Sequence, residues 1–486
     1  MNNLSMVGAD VNWRLGSYRI RYIVLLYLLI ATPLLVSMAF LIPPGYAPDE
    51  PDHAARAESV LHGAILGGRG IGPGPTDVLG VTSGVRADPA IVAADRAHVP
   101  GKWLRRGEIR RLFDIEWTGQ SQFMKASVAP YFPVFYVPQA AGMGLSRLLG
   151  APPLLAIYAG RLANVLAYLV LGSLALMLAE RGAALIFATL LLPLNLWLAA
   201  SLNQDAALIA TACLAAALLT RSMAGQRNAR WLAAAGIGCI LIAKPPYLPL
   251  AALLLLPFSG MTWRIFLQRA PIVAAAVVPA LIWSVLVTKY VAAPTPLDPY
   301  KPGPLFVGDP DRVFQGTDTA AQMQVLMQPP TNLIVLPVKS FILQLPEKLE
   351  QMVGGLGLLD VPLPYPAYLA WLLALATAGA AGAYGRRFRG PVVDPIGIAM
   401  TATAMIGCVL LLYVALYLSW TPVGRTRIEG IQGRYFTPLL PFMIFLLPRF
   451  GPRPALSRAL LAPAVVLAAA GTVYLPLLVV WVFYLR

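Results

Sequence analysis

The sequence predicts an all-α polytopic membrane protein: one domain over residues 1–486, built as a bundle of about eleven transmembrane helices with a long first extracytoplasmic loop. Three observations carry this expectation. Hydrophobic residues make up 58% of the chain and charged residues only 12%, where a soluble domain carries roughly 25% charged. Mean hydropathy is +0.69. Apolar runs approaching the roughly 20 residues that a spanning helix needs recur along the whole chain, separated by basic segments. The same numbers exclude other classes. Three cysteines, Cys213, Cys239 and Cys408, all in apolar runs, do not make a disulfide scaffold and read as small buried hydrophobes. A net charge of +15 would suggest nucleic acid for a soluble chain. Here most Lys and Arg outside the first loop lie between apolar runs, as membrane orientation requires, so the bilayer is the expected partner and nucleic acid is not.

The expected spans are, in order, 22–42, 161–178, 183–200, 205–219, 231–243, 247–258, 271–291, 367–383, 396–418, 435–447 and 460–482. The first is uncharged, follows a basic segment and lacks a small-residue cleavage site. It therefore reads as an anchor and not as a removed signal peptide. The 231–243 and 247–258 segments are short and read as a pair broken at Lys244-Pro245-Pro246-Tyr247. With residues 1–21 cytoplasmic, every inner segment is basic: Arg14, Arg19 and Arg21; Arg181; Arg221, Arg227 and Arg230; Arg264 and Arg269; Arg386, Arg387 and Arg389; Arg449, Arg453 and Arg458. Outside lie the long loops 43–160 and 292–366 and the shorter segment 419–434. Connections so long usually carry function. Residues 129–149 are apolar enough to resemble a span, but counting them would put the basic segments outside. They are expected as a helix in the outer interface, with 344–352 a similar candidate.

The chemistry-bearing residues collect on the outer side. Just past the first span stands Pro48-Asp49-Glu50-Pro51-Asp52-His53. Pro51 suits the first position of a helix, with Glu50 as its cap. Acids that only cap a helix are common, but acids held against a bilayer face are costly and often functional. All three histidines, His53, His62 and His98, are in this loop, yet no metal-ligand spacing supports zinc. Asp49 and Glu50 offer oxygen ligands that suit Mg or Mn. Arg161, Asn203, Asp205, Lys244, Tyr247, Gln432, Arg434 and Tyr435 stand at the outer ends of spans. Any one alone reads as a snorkelling or loop-end residue. Their shared side argues for a joint site, with carboxylates to handle a hydroxyl and cations to hold a phosphate.

These segments carry a resemblance. Pro48-Asp49-Glu50-Pro51-Asp52-His53 is similar to the opening Pro-Asp-Glu-Pro-x-His of a family of bacterial predicted polytopic membrane proteins allied to the GT-C glycosyltransferases. In the family's order follow Phe132-Pro133-Val134-Phe135-Tyr136-Val137-Pro138-Gln139, with Phe132 for a Pro; Gly160-Arg161-Leu162-Ala163-Asn164; Asn203-Gln204-Asp205, with Gln in the middle; Lys244-Pro245-Pro246-Tyr247; Gly357-Leu358-Leu359-Asp360, without a Trp; and Gln432-Gly433-Arg434-Tyr435-Phe436. The resemblance implies a GT-C-like bundle in the bacterial cytoplasmic membrane, with its active site facing outward. It also implies a polyprenyl-phosphate sugar donor and an acidic base in the first outer loop. Asp49 or Glu50 would then be catalytic. His53, Arg161, Asn203, Asp205, Lys244, Tyr247, Asp360, Gln432, Arg434 and Tyr435 would bind substrate. No resident metal is implied.

The expected function is transfer of a sugar from that donor to an extracytoplasmic glycan, lipid or protein. A polysaccharide polymerase or ligase, a non-catalytic assembly partner and a transporter or flippase of lipid-linked glycans are the alternatives. Transporters place charge near the bilayer midplane in paired halves, and this chain shows neither.

Overall fold

The computed structural model describes all residues except 1–12, 16–17, 21, 74–78, 97–105, 294–316, 385–393, 424, 452 and 486. Arg21, His98, Arg386, Arg387 and Arg389 therefore lie outside the described residues. Helices dominate. Six are long and apolar enough to cross a membrane: Tyr22–Leu41, Pro153–Leu178, Asp205–Met223, Trp263–Tyr290, Pro395–Ser419 and Pro454–Leu485.

The remaining apolar segments fold as shorter helices: Ala183–Leu190 followed by Pro193–Ala199, Asn228–Ala243, Pro245–Leu255, Tyr365–Ala381 and Thr437–Leu446. Two of them carry an internal proline, Pro249 in Pro245–Leu255 and Pro441 in Thr437–Leu446, and both wind as 3₁₀ helices. A proline removes an amide donor and weakens the α ladder, although Pro271 and Pro279 are accommodated inside the α-helix Trp263–Tyr290. The tighter helix rises ~2.0 Å per residue instead of ~1.5 Å, which stretches eleven residues to ~22 Å. The second long helix starts at Pro153, so Arg161 lies inside it and does not open it.

The long segment after the first helix departs from the all-α expectation. It holds a three-stranded antiparallel sheet, Gly68–Pro73, Leu79–Ala87 and Gln122–Lys125, in that order. Its strands are glycine-rich and escaped a hydrophobic-periodicity reading. The glycines have a packing reason. The Phe123 ring lies across Gly70 and Gly84, where an added Cβ would come within 2.7 Å of it. The sheet is tied to the end of Trp263–Tyr290 through Arg69 donating to Ala292 and Thr288 carbonyls and Ser83 donating to Val291. The segment 129–149 is helical, as a 3₁₀ turn, Pro133–Tyr136, leading into Val137–Leu148. It packs so closely on Pro153–Leu178 that Gly142 faces the Ala159 carbonyl.

In the second outer loop a helix covers Asn332–Gly354, well beyond the expected 344–352. Its burial is inverted. Ile334, Val335, Val338, Ile342 and Leu343 are exposed, whereas Ser340, Gln344, Lys348 and Gln351 are buried. A water-facing helix shows the opposite pattern. The buried polar face grips the chain that leads to Arg434. Gln344 donates to the Ile428 carbonyl, Ser340 accepts from the Ile428 amide and Gln351 accepts from the Gly433 amide.

Two apolar cores run through the bundle. One surrounds Leu34, Tyr168, Phe187 and Trp197, and the other surrounds Leu208, Tyr247, Cys408 and Phe442. A third lies under the outer sheet around Ala54, Ile91 and Ile157. The three cores leave a group of buried polar residues, among them Asp205, Lys244 and Arg434, at one end of the bundle.

Candidate functional site

Asp49 and Glu50 are chain neighbours with opposite surroundings. The helix they begin is Glu50–Leu61, and its cap is Asp49, one residue earlier than the sequence suggests. Asp49 adopts a left-handed backbone, φ 59° and ψ 18°, and its carboxylate makes no capping bond. Left-handed geometry favours Gly and, after it, Asn and Asp. At Asp49 this conformation swings the side chain away from the helix amides and toward Arg434, to which it is ion-paired. The Asp49 side chain is 41% exposed while Arg434 is only 4% exposed. Burial would raise the Asp49 carboxyl, but the charge of Arg434, helped by His53, outweighs it and holds the group below the usual carboxylate range.

Glu50 is fully buried. Arg161 grips it with two parallel bonds, Nε to Oε1 at 2.8 Å and Nη2 to Oε2 at 2.7 Å. The Leu202 amide donates to Oε1 as well. The other Arg161 hydrogens go to the carbonyls of Ala39, Ile42 and Pro43 at the end of the first span. The pair thus ties the first long helix, the second and the loop before Asp205. All five Arg161 hydrogens are bonded inside the protein, and Glu50 accepts three bonds there, two from Arg161 and one from the Leu202 amide, so the pair holds these elements together. Among the described residues no group of three His, Cys, Asp or Glu is arranged to hold a metal.

Around Asp49 the charges alternate in a chain. Lys244 Nζ lies 2.7 Å from Asp205 Oδ1, Asp205 Oδ2 lies 3.5 Å from Arg434 Nε, and Arg434 Nη2 reaches Asp49. Two cations and two anions leave the array neutral. Lys244, Asp205 and Arg434 are each under a tenth exposed, and only Asp49 opens to solvent. The local sequence explains the placement. Lys244 ends an α-helix at φ −141°, ψ 90°, an extended conformation imposed by the following Pro245. Asp205 begins the next long helix after Asn203, whose side chain accepts from the Asp205 amide and donates to the Pro48 carbonyl. Gly433 lets the chain press against the Lys348 carbonyl, where any Cβ would clash at 2.5 Å, and so delivers Arg434.

The remaining expected residues divide. Tyr247 donates to the Tyr435 carbonyl at 2.7 Å, and the Tyr435 ring stands 4.5 Å from Lys244 Nζ. The Lys244–Tyr247 and Gln432–Phe436 segments therefore touch. His53 is buried one turn after Asp49 and shares a 2.7 Å hydrogen bond with the Tyr136 hydroxyl. Burial pushes its pKa down to about 4, although Asp49 and Asp205 oppose the shift while Arg434 and Lys244 add to it. The imidazole is neutral at pH 7. Gln432 is half-buried beside Gly433. Asp360 is engaged elsewhere: it accepts from the Leu358 amide in its own turn and from the Tyr46 hydroxyl at 3.2 Å.

Tyr131 escaped the sequence reading, and Asn164 stood there in a motif without a role. Tyr131, just ahead of the Phe132–Gln139 motif, turns its ring toward Lys244 Nζ at 5.8 Å. Asn164 binds the Ser201 and Asn203 carbonyls and accepts from Gln139, which fixes the Asn203-Gln204-Asp205 turn. The position of Asn164 one turn after Arg161 on a helix was the available signal.

The array sets one solvent-open carboxylate, Asp49, beside two buried cations that are each paired with a carboxylate. Its aromatic rim of Tyr131 and Tyr435 suits a flat or apolar ligand. A family model described as "Predicted membrane protein (DUF2142)" matches residues 33–443, and the chain belongs to that family. No curated protein and no solved structure matches the chain.

Proposed function

From membership in this family of membrane proteins, we propose that the chain is an inverting glycosyltransferase with a GT-C-like bundle of eleven spans. It moves a sugar from a polyprenyl-phosphate donor to a glycan, lipid or protein acceptor on the outer side of the cytoplasmic membrane. The observation that carries the reading is the alternating array: one solvent-open carboxylate, Asp49, set beside two buried cations, Lys244 and Arg434. That is the inventory the reaction needs. The attacking hydroxyl must lose a proton, and a positioned base contributes typically a hundred- to ten-thousand-fold. The lipid phosphate leaves without a proton when cations stabilise its charge.

Asp49 is the base in this scheme, since Glu50 is spent on Arg161. Arg434 and Lys244 face the donor phosphate, and Tyr131 and Tyr435 flank the sugar or the first isoprene units. His53, neutral and held by Tyr136, packs behind Asp49. Asn203 and Asp205 position the two cations. The test is donor consumption in membranes supplied with radiolabelled polyprenyl-phosphate sugars. A transferase releases polyprenyl phosphate in step with glycosylated product, whereas a flippase relocates the intact donor. Donor that crosses the bilayer unhydrolysed and untransferred would sink the proposal. Sidedness is tested separately: single cysteines near 49 and 205 should react with an impermeant thiol reagent on intact cells, and one near 227 only after lysis.

A further inference from the structure

Arg434 cannot give its full charge to a phosphate while Asp49 holds it. In the resting array both cations already have carboxylate partners, Lys244 with Asp205 and Arg434 with Asp49. An anionic donor therefore meets a site with no net positive charge. Yet the two ends of the Arg434 guanidinium are held differently. Nε faces Asp205, which is buried and anchored by Lys244, and Nη1 reaches the Pro48 carbonyl at 3.4 Å. Only Nη2 is bound to a solvent-open group. The charge that can be exchanged is at that corner.

We propose that Asp49 and Arg434 form a proton-driven switch, in which Asp49 releases Arg434 to the departing lipid phosphate as it takes the acceptor's proton. This rests on the transferase reading above and adds the order of events to it. The step balances. A lone pair of the acceptor oxygen forms the new bond to the anomeric carbon, and the bond from that carbon to the phosphate oxygen breaks. Its electron pair stays on the phosphate, which gains one negative charge. The acceptor proton moves to an Asp49 oxygen, which loses one. One anion beside Nη2 is replaced by another, so the total charge facing Arg434 does not change during the reaction. Before transfer, the Asp49 pair restrains Arg434 from binding the lipid-phosphate product. After transfer, the neutral Asp49 leaves that product held, until deprotonation of Asp49 restores the pair and expels it. Base and leaving-group stabiliser are thereby coupled through one bond. Asp205 and Lys244 keep the guanidinium in place while its free corner changes partner.

The experiment is equilibrium binding of polyprenyl phosphate to the purified full chain in nanodiscs. Asp49→Asn imitates the protonated base, and Asp49→Gly removes the carboxylate. Both residues tolerate the left-handed backbone at this position, so two folded variants are available, each checked by thermal unfolding. Each should bind the lipid phosphate more tightly than the wild-type chain, by up to about fivefold. The gain should vanish when Arg434→Ala is added. Equal affinity in wild type and both Asp49 variants, with weaker binding in Arg434→Ala, would overturn the switch while leaving the transferase reading intact. If none of the proteins binds polyprenyl phosphate, the donor assignment fails and the switch fails with it.

Discussion

Glu50 with Arg161 and Asp49 with Arg434 are the same chemical pair, drawn from adjacent positions of one motif. The first is fully enclosed, bidentate and bonded on every side. The second is joined at a single corner, with its carboxylate 41% exposed. A fully buried pair whose guanidinium hydrogens are all bonded within the protein leaves little for a substrate, and removing one partner strands a charge. A pair at the edge of solvent can exchange its partner at modest cost. The comparison teaches that the enclosed pair sets the geometry and that the open pair is free to react.

The largest effect should come from breaking the enclosed pair. Glu50→Gln leaves Arg161 uncompensated and is expected to cost about 3–5 kcal/mol of stability. Yield and thermal midpoint in detergent check this, and a variant as stable as wild type would remove the distinction between the two pairs. Next comes Asp49→Asn, which should lower transfer activity by roughly a hundred- to ten-thousand-fold while leaving the thermal midpoint in place. Full activity in this variant would move the base elsewhere.

A smaller change is expected for Lys244→Ala and Arg434→Ala. Each should weaken donor binding by about tenfold or more, consistent with loss of a charge-assisted contact worth ~1.5–3 kcal/mol, with acceptor affinity little changed. Donor titrations that show no difference would return both residues to a structural role.

The smallest effect at neutral pH concerns His53, whose contribution changes only in acid. Its folded-state pKa is about 4, lowered by burial from 6.5. Above pH 6.5 neither the folded nor the unfolded chain protonates it. As pH falls from 6.5 to about 4 the unfolded chain gains a proton that the folded chain refuses, so stability is lost across that window, by at most roughly 3 kcal/mol. Denaturation followed against pH should show a shallower decline in His53→Gln than in wild type. Parallel curves would mean that the imidazole is not the group responsible.

Much of this architecture was legible without coordinates. Hydropathy places the apolar segments because the bilayer demands internally bonded, apolar helices of set length. The charge alternation requires no packing knowledge either. The outer sheet was not legible, since its glycine-rich strands carry no apolar period and owe their place to the Phe123 ring. The helix Asn332–Gly354 was legible only in part, as the candidate 344–352, and nothing in its sequence says that Ser340, Gln344, Lys348 and Gln351 turn inward.

At the site the division is sharper. The sequence by itself determined which residue types gather on one side of the bundle: Asp49, Glu50, Arg161, Asp205, Lys244 and Arg434. Only the tertiary structure decided which acid takes which cation. Asp49 and Glu50 differ by one position, and the left-handed backbone at Asp49 sends the two side chains to arginines 111 residues and 385 residues away along the chain. Partner choice over such separations depends on how several helices meet in space, and no local pattern of residues encodes that.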